Sequence, residues 1–222
     1  GLDFSILKGR LSGTIEYYDK QTSDLIFDYP VSTNRYQYGT MTANVGDISN
    51  KGIELTINAI PVQNKDFTWE TNLSLSHNKN TVKKLSNDIY SVDYINTGNP
   101  NIGGFATANT QRIMEGEPIG TFYMWEWAGY NENGISQFYV RDPETGERTG
   151  ETTIDPQEAD RTKVGNAQPK LNLGWNNTLS WKKWSLTAFF QGMFGNKILN
   201  STRAQYNNVG TISTGKNVLR EV

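Results

Sequence analysis

Two carboxylates stand close together in one polar segment, Glu115 and Glu117. Paired carboxylates can act as general acid and general base, because each charge shifts the pKa of its neighbour. Here, however, they flank Gly116 and precede Pro118, an order typical of a structured turn at the entry to a loop. No other part of the sequence offers a nucleophile with a base beside it. We therefore predict no catalytic residues, and that the chain is not an enzyme.

Oxygen-rich segments at residues 131–134 and 155–160 could hold a cation, but they lack the ligand order of a calcium-binding EF-hand loop. They are predicted to be solvated turns. Gly103 and Gly104 are predicted to form flexible loop corners. The chain has no Cys and one His, His77, so thiolate and His-cluster metal sites are excluded. His77 is expected on the polar face at a strand end, as a lumen or rim residue. Neither a metal nor a cofactor is predicted.

The overall charge balance removes another class of function. A net charge of -2 and a pI near 5.5 give no clustered positive face for phosphates, so no nucleic-acid partner is expected. Mean hydropathy is -0.61, and no apolar run approaches the roughly 20 residues of a membrane helix. Such values remain compatible with a membrane barrel, whose strands turn only alternate residues to lipid.

The elements that position these residues are predicted to be β-strands. Residues 67–76 alternate between an apolar face, with Trp69 and Leu73, and a polar face, with Glu70 and Asn72. The same period of two recurs in residues 2–6, 11–18, 53–59, 171–181 and 184–191. A helical period fits none of these segments well.

The connections between strands alternate in length. Short turns are predicted at residues 7–10, 61–66 and 181–184, and long polar connections at about 28–43, 79–110 and 128–168. Aromatic residues recur near predicted strand ends, at residues 17 and 18, 67 and 69, 181 and 184, and 194. Short turns on one side, long loops on the other and aromatic girdles are typical of transmembrane barrels. A β-sandwich also alternates apolar and polar residues, so periodicity alone leaves that alternative open.

Several phrases resemble the SusC/RagA family of TonB-dependent outer-membrane transporters, found in Bacteroidota. They are, in order along nearly the whole chain, GLDF (1–4), RLSG (10–13), YYDKQTSDLI (17–26), NVGDISNKGIEL (44–55), EGEPIGTFY (115–123), DPETG (142–146), GNAQPK (165–170) and GNKI (195–198). The ordered set is specific although each phrase alone is weak.

The resemblance implies an all-β fold: an antiparallel transmembrane β-barrel segment, part of a plugged barrel of about 22 strands, with short periplasmic turns and long extracellular loops. Residues 1–222 are expected to be late strands and extracellular loops, about a third of the barrel, without the plug, the TonB box and the final strands. In this arrangement Leu55, Leu73 and Leu173 face lipid, and Thr56, Asn72 and Asn172 face the lumen.

The function implied is that of a multi-pass protein of the cell outer membrane, part of a nutrient importer for an oligosaccharide or peptide. The expected partners are a SusD-like lipoprotein, outer-membrane lipid, the glycan or peptide substrate, and TonB-ExbB-ExbD through the missing N-terminal region. The alternative is a secreted β-sandwich or adhesin-type module that binds glycans.

Four aromatic residues are candidates for substrate binding, because exposed rings at loop or strand-end positions can stack on sugars or contact a partner lid. They are Tyr36, Tyr38, Trp125 and Trp127. For the two tryptophans, a role in the aromatic girdle or in loop packing is an equal alternative.

Overall fold

The computed structural model describes residues 1–86, 91–100, 109–207, 212–213, 215 and 217–220, so Gly103 and Gly104 lie outside the described residues. The strands are β1 (Leu2–Ile6), β2 (Leu11–Pro30), β3 (Thr40–Gln63), β4 (Phe67–Lys84), β5 (Tyr94–Thr97), β6 (Gln111–Met114), β7 (Thr121–Trp125), β8 (Trp127–Tyr130), β9 (Ser136–Arg141), β10 (Arg148–Thr153), β11 (Arg161–Asn166), β12 (Leu171–Trp181) and β13 (Trp184–Phe194). A short α-helix, α1, spans Ser201–Tyr206. Among the described residues no helix is long and apolar enough to cross a membrane.

The chain divides into two compact units. Unit 1 comprises Gly1–Asp93, Glu115–Pro118 and Gln168–Asn196, and unit 2 comprises Tyr94–Met114, Ile119–Ala167 and Lys197–Val222. Unit 1 contains a six-stranded antiparallel sheet in the order β1-β2-β3-β4-β12-β13. Unit 2 contains a four-stranded sheet, β11-β7-β6-β5, and a three-stranded sheet, β10-β9-β8. The prediction of an all-β, antiparallel fold is confirmed.

The register of the large sheet keeps apolar residues on one face across neighbouring strands. Leu73 lies opposite Ile57 on one side and Trp175 on the other, and Trp175 lies opposite Phe190. Residues opposite one another in an antiparallel pair share a face, so the predicted alternation continues from strand to strand.

The opposite face of the same sheet is a continuous polar surface. Asn72 lies between Asn58 and Asn176, and its side-chain amide donates to Asn58 Oδ1 at 2.6 Å. Further along, Asn78 and Asn80 both donate to Asn50 Oδ1, at 3.1 and 3.0 Å. Side-chain bonds between strands therefore satisfy this face without burying it.

The apolar face of the sheet remains open. Leu186 is 62 % exposed, Phe190 53 % and Trp175 40 %. A β-sandwich would bury such side chains against a second sheet, so their exposure argues against that alternative.

The strand boundaries differ from those expected. β2, β3 and β4 are 20, 24 and 18 residues long and extend well beyond the predicted alternating segments, which reduces the first long connection to residues 31–39. The other two predicted connections were wrong in form: β4 pairs directly with β12, and the chain between them contains β5 to β11. Short and long connections still alternate along the large sheet.

The turn between β3 and β4 is also shorter than expected and covers residues 64–66. Asn64 Oδ1 accepts from the backbone N–H groups of Asp66 and Phe67 at 3.0 and 2.8 Å, which closes the turn. An Asn side chain that mimics a backbone acceptor is a common turn device.

Gly13 provides a close approach in the large sheet, and its replacement tests the register. A Cβ at this position would lie 2.3 Å from the backbone oxygen of Thr56 and 2.7 Å from the Phe4 ring. We expect Gly13→Ala to lower the unfolding free energy of the protein by about 1–3 kcal/mol, because the Thr56 backbone or the Phe4 ring must move. Chemical unfolding of the protein measures the change.

Gly174→Ala is the matched control, because its Cβ would meet no atom nearer than 3.9 Å. There the lost flexibility of the unfolded chain should leave stability unchanged or raise it by about 0.4–1 kcal/mol. An equal loss at both glycines would contradict the paired register of Phe4 and Gly13.

Candidate functional site

The turn that contains Glu115 and Glu117 fastens to the end of β4 within unit 1. Gly116, at φ +83°, donates its N–H to the Val82 oxygen at 2.9 Å, and Val82 donates to the Glu117 oxygen at 2.9 Å. The Glu115 carboxylate accepts the backbone N–H of Leu85 at 2.6 Å. Glu115 therefore contacts the end of β4 through its carboxylate, and Glu117 contacts it through its backbone oxygen.

Three of the phrases that carry the resemblance, EGEPIGTFY (115–123), GNAQPK (165–170) and GNKI (195–198), meet in unit 2. The Asn166 side chain donates to the Ile119 oxygen at 3.3 Å and to Thr121 Oγ1 at 3.0 Å, and its own carbonyl accepts from Lys197 N at 2.7 Å. Ala167 N donates to the Gly120 oxygen at 2.9 Å. Segments distant in sequence are thus held together by backbone and amide bonds.

A buried arginine lies at the centre of the four-stranded sheet. The guanidinium carbon of Arg112 lies 3.9 Å from the Tyr94 ring centroid and 4.0 Å from that of Tyr123, so the cation is held between two rings. Its Nε donates to Asn96 Oδ1 at 3.1 Å, and its Nη2 pairs with Glu158. Burial lowers the pKa of Arg112, although a guanidinium stays charged in proteins.

A second buried arginine shares the same carboxylate. Arg161 Nη1 lies 3.4 Å from Glu158 Oε1, and its Nη2 donates to the backbone oxygens of Asn109 and Tyr123. Burial lowers the pKa of Arg161 as well. The side chains of Arg112 and Arg161 are each 5 % exposed, whereas Glu158 is 57 % exposed. One surface carboxylate therefore neutralises part of two buried positive charges.

In the three-stranded sheet of unit 2, one carboxylate again pairs with two arginines. Glu126 accepts from Arg148 Nη2 at 2.5 Å and from Arg141 Nη2 at 2.6 Å. The hydrogen bond from Arg148 is the main cause that lowers the pKa of Glu126. Arg148 also lies over the Tyr139 ring at 4.0 Å. The ionised carboxylate thus fixes the segment between β7 and β8 against β9 and β10.

The structure separates the two candidate tryptophans on either side of this carboxylate. Trp125 donates its indole N–H to the Gln157 oxygen at 2.8 Å, and its ring centroid lies 5.3 Å from the guanidinium carbon of Arg161, so the ring is half-buried against unit 2. Trp127 is 54 % exposed and meets the edge of Tyr130 at 5.2 Å. The exposed surface therefore carries an aromatic pair, Trp127 and Tyr130.

The other two candidates lie in unit 1, in the connection between β2 and β3. Tyr38 is 73 % exposed, and Tyr36 is at 36 %. Residues 31–39 that carry them are closed by bonds from Val31 N to the Gly39 oxygen and from Tyr36 N to the Ser32 oxygen, at 2.9 and 3.0 Å. These tyrosines belong to a different unit from the tryptophan pair, and the four candidates do not form one cluster.

The oxygen-rich segments form turns in which the oxygens accept backbone bonds. Asn131 Oδ1 accepts from Asn133 N and Ile135 N, and Asp160 Oδ2 accepts from Gln157 N. Within the described ranges no group of three or more His, Asp or Glu side chains could hold a metal ion.

The placement of His77 was wrong. His77 lies opposite Ile53 and shares the parity of Leu73 and Leu75, so it stands at the edge of the apolar face and not on the polar face. Its Nδ1 lies 2.5 Å from the Lys170 oxygen. A polar ring is tolerated there because a carbonyl near the start of β12 satisfies it.

Sequence reasoning missed Tyr130 and four arginines of unit 2 that pair with carboxylates, Arg112, Arg141, Arg148 and Arg161. Tyr130 follows Trp127 by three residues at the end of a short strand, a signal that a search for exposed aromatic pairs could have used. Arg112 takes its partners Tyr94, Tyr123 and Glu158 from other elements of the chain, so no local pattern marked it.

The chain is similar to known proteins over most of its length. It is 34 % identical over 215 residues to TonB-dependent receptor P3 of Formosa agariphila, covering 91 % of this chain and 20 % of that protein. It is 28 % identical over 213 residues to TonB-dependent receptor SusC of Bacteroides thetaiotaomicron, covering 95 % and 20 %. The chain thus spans about a fifth of the length of these relatives. No protein-family model matches it.

Solved structures share the fold. A RagAB peptide importer in its closed-closed state superposes with a TM-score of 0.74 at 24 % identity, over 94 % of this chain and 22 % of that one. A second RagAB peptide transporter structure gives a TM-score of 0.72 at 25 % identity, over 90 % and 21 %. The resemblance drawn from the sequence phrases is confirmed: over these residues, the chain is similar in sequence to TonB-dependent receptors, SusC among them, and it shares the fold of the RagAB importer structures.

Proposed function

We propose that this chain forms part of the wall and the outer loops of an outer-membrane importer that takes up an oligosaccharide or a peptide. The observation that carries the proposal is the two-sided sheet of unit 1, with an exposed apolar face and a hydrogen-bonded polar face. β12 and β13 are 11 residues long, the length that a tilted strand needs to cross a bilayer.

The connections supply the orientation in this proposal. The short turns face the periplasm, and the 31–39 connection, the end of β4 and the start of β12 face the outside, because long connections of outer-membrane barrels lie on that side. The apolar face then contacts lipid and the Asn-rich face lines the lumen.

The remaining parts of the importer follow from the relatives. SusC and the RagAB complexes support a SusD-like lipoprotein as the partner that covers the outer loops. Energy would come from TonB-ExbB-ExbD through a part of the receptor outside the 222 residues. Either a glycan or a peptide is compatible with the exposed rings, because both present apolar surfaces beside hydrogen-bonding groups.

Uptake in the native host tests the proposal. Cells with and without the full-length receptor would receive fluorescent oligosaccharides or oligopeptides, each with and without a protonophore. Receptor-dependent uptake of one class that stops with the protonophore is the expected result. Binding at the surface without energy-dependent uptake of any class would contradict an importer and favour a glycan-binding adhesin.

Replacing Trp127 separates recognition from packing. We expect Trp127→Ala to weaken binding of the imported ligand, or of the lipoprotein lid, by about tenfold, because an exposed aromatic anchor is lost. Thermal stability should stay the same, since Trp127 is 54 % exposed. Isothermal titration calorimetry of the purified receptor, with the ligand and separately with the lipoprotein lid, measures both affinities.

Trp125→Ala is the matched comparison two residues away. It removes the bond to the Gln157 oxygen and the contact with Arg161, so its main effect should be a loss of stability of unit 2 and not a loss of binding affinity. If both variants lost stability equally and neither lost affinity selectively, Trp127 would be a packing residue and not a binding residue.

A further inference from the structure

The short turns of the large sheet share one strongly basic edge. Residues 7–10, 64–66 and 182–183 lie at the same edge: Ile60 N, near the end of β3, donates to the Arg10 oxygen, and Lys182 N donates to the Asp66 oxygen, both at 2.8 Å. We use the name basic turn edge for the five cations at this edge, which are Lys8, Arg10, Lys65, Lys182 and Lys183. All five are exposed, and Asp66 is the acidic residue in these turns.

These cations have no carboxylate partner in the described part of the chain. The ion pairs found there involve Lys51 in unit 1 and arginines of unit 2, and none includes a member of the basic turn edge. A row of uncompensated cations beside an apolar surface attracts an anion that itself carries apolar groups.

A cleft of about 610 Å³ opens at this edge beside the first turn. Its walls include Leu7, Leu11, Ala59 and Pro61, and its charged lining is Lys8 and Arg10. Leu11 and Ala59 are paired residues on the apolar face of the sheet. The cleft is therefore apolar on the side that continues toward the centre of the strands and cationic at the turn.

The backbone around the cleft holds the arginine in place. Arg10 Nε and Nη2 donate to the Ile60 oxygen at 3.0 and 2.8 Å, and Nη2 also donates to the Pro61 oxygen at 2.9 Å. In the described ranges no acceptor lies within bonding distance of Nη1. The guanidinium is thus oriented by two carbonyls and retains a free donor edge for an anion.

We propose that this cleft binds an anionic phospholipid of the inner leaflet. The phosphate contacts Arg10 Nη1 and the Lys8 ammonium group, and one acyl chain lies along Leu7, Leu11 and Ala59. The proposal rests on the membrane orientation given under the proposed function. An anionic headgroup is favoured over a zwitterionic one because the turns carry excess positive charge.

Lipid retention by the full-length receptor tests the site. The receptor is reconstituted in vesicles of equal phosphatidylglycerol and phosphatidylcholine, extracted gently, and its bound lipids are counted by native mass spectrometry. We compare the parent protein with Lys8→Asn, chosen because Lys8 has φ 58° and Asn accepts that conformation. Lys8→Arg keeps the charge. Lys79→Asn removes an exposed cation near the other end of the same sheet.

We expect the parent protein to retain phosphatidylglycerol in preference to phosphatidylcholine. This preference should fall about fivefold in Lys8→Asn and should be preserved in Lys8→Arg and Lys79→Asn. Equal retention of both lipids, or equal loss from Lys8→Asn and Lys79→Asn, would overturn the site. Retention and uptake are measured separately, so a receptor that imports normally but shows no lipid preference refutes this site alone. A lipid preference without energy-dependent uptake refutes the importer alone.

Discussion

Arg in place of Leu73 should cost the full-length receptor about 2–4 kcal/mol of unfolding free energy in a bilayer. Leu73 lies in the middle of the apolar face, between Ile57 and Trp175, where a guanidinium would have to leave water for hydrocarbon. Arg at Leu55 or Leu173 should act in the same direction, with a smaller cost nearer either interface.

Asn72→Arg provides the adjacent control on the polar face. The variant loses the bond to Asn58 Oδ1, but its new guanidinium lies on the polar face, which the proposal exposes to water, so a cost of about 0.5–1.5 kcal/mol is expected. Thr56→Arg and Asn172→Arg extend the control to neighbouring strands. Denaturant titration in lipid vesicles gives all six values, and similar costs on both faces would refute the assignment of lipid and lumen sides.

The second large effect is expected at Glu158 in unit 2. Glu158→Gln would leave Arg112 and Arg161, each 5 % exposed, without their shared carboxylate. Breaking a buried pair costs about 3–5 kcal/mol, but Glu158 is 57 % exposed, so about 1–3 kcal/mol is the expected loss. Hydrogen exchange of β6 and β7 amides, followed by mass spectrometry on the full-length receptor, reports the local stability.

Two further variants separate the charge effect from general damage. Arg112→Met in the Glu158→Gln background should recover part of the protection, because it removes one buried cation and keeps an apolar chain between the Tyr94 and Tyr123 rings. Glu151→Gln, at an exposed carboxylate of β10, should change nothing. Equal loss in Glu151→Gln and Glu158→Gln would show that the shared carboxylate has no special role.

The large sheet could be predicted because its signals are local. Alternation fixes which residues share a face, and a short turn fixes the register of the next strand, so the predicted faces of Leu73 and Trp175 follow from neighbouring residues. The error at His77 arose from assigning it by polarity, although its spacing from Leu75 placed it on the apolar face.

Unit 2 was less predictable for a physical reason. Its strands have four to six residues, too few for a clear period, and a polar residue such as Arg112 occupies a buried position. The rings that make this burial acceptable, Tyr94 and Tyr123, come from other strands. Similarly, whether Trp125 or Trp127 is exposed depends on Gln157 and Arg161, which no local pattern connects to either tryptophan.

The seam between β4 and β12 has a consequence for assembly. Thr71 and Asn176 are bonded across 105 positions in the chain, whereas Thr178 and Thr187 are separated by 9. The entropy of loop closure makes the longer contact about 2 kcal/mol harder to form, so the hairpins should form early and the seam late. Because this penalty grows only logarithmically, doubling the inserted chain would add about 0.6 kcal/mol. Large insertions at this seam can therefore diversify at little thermodynamic cost while the wall stays the same.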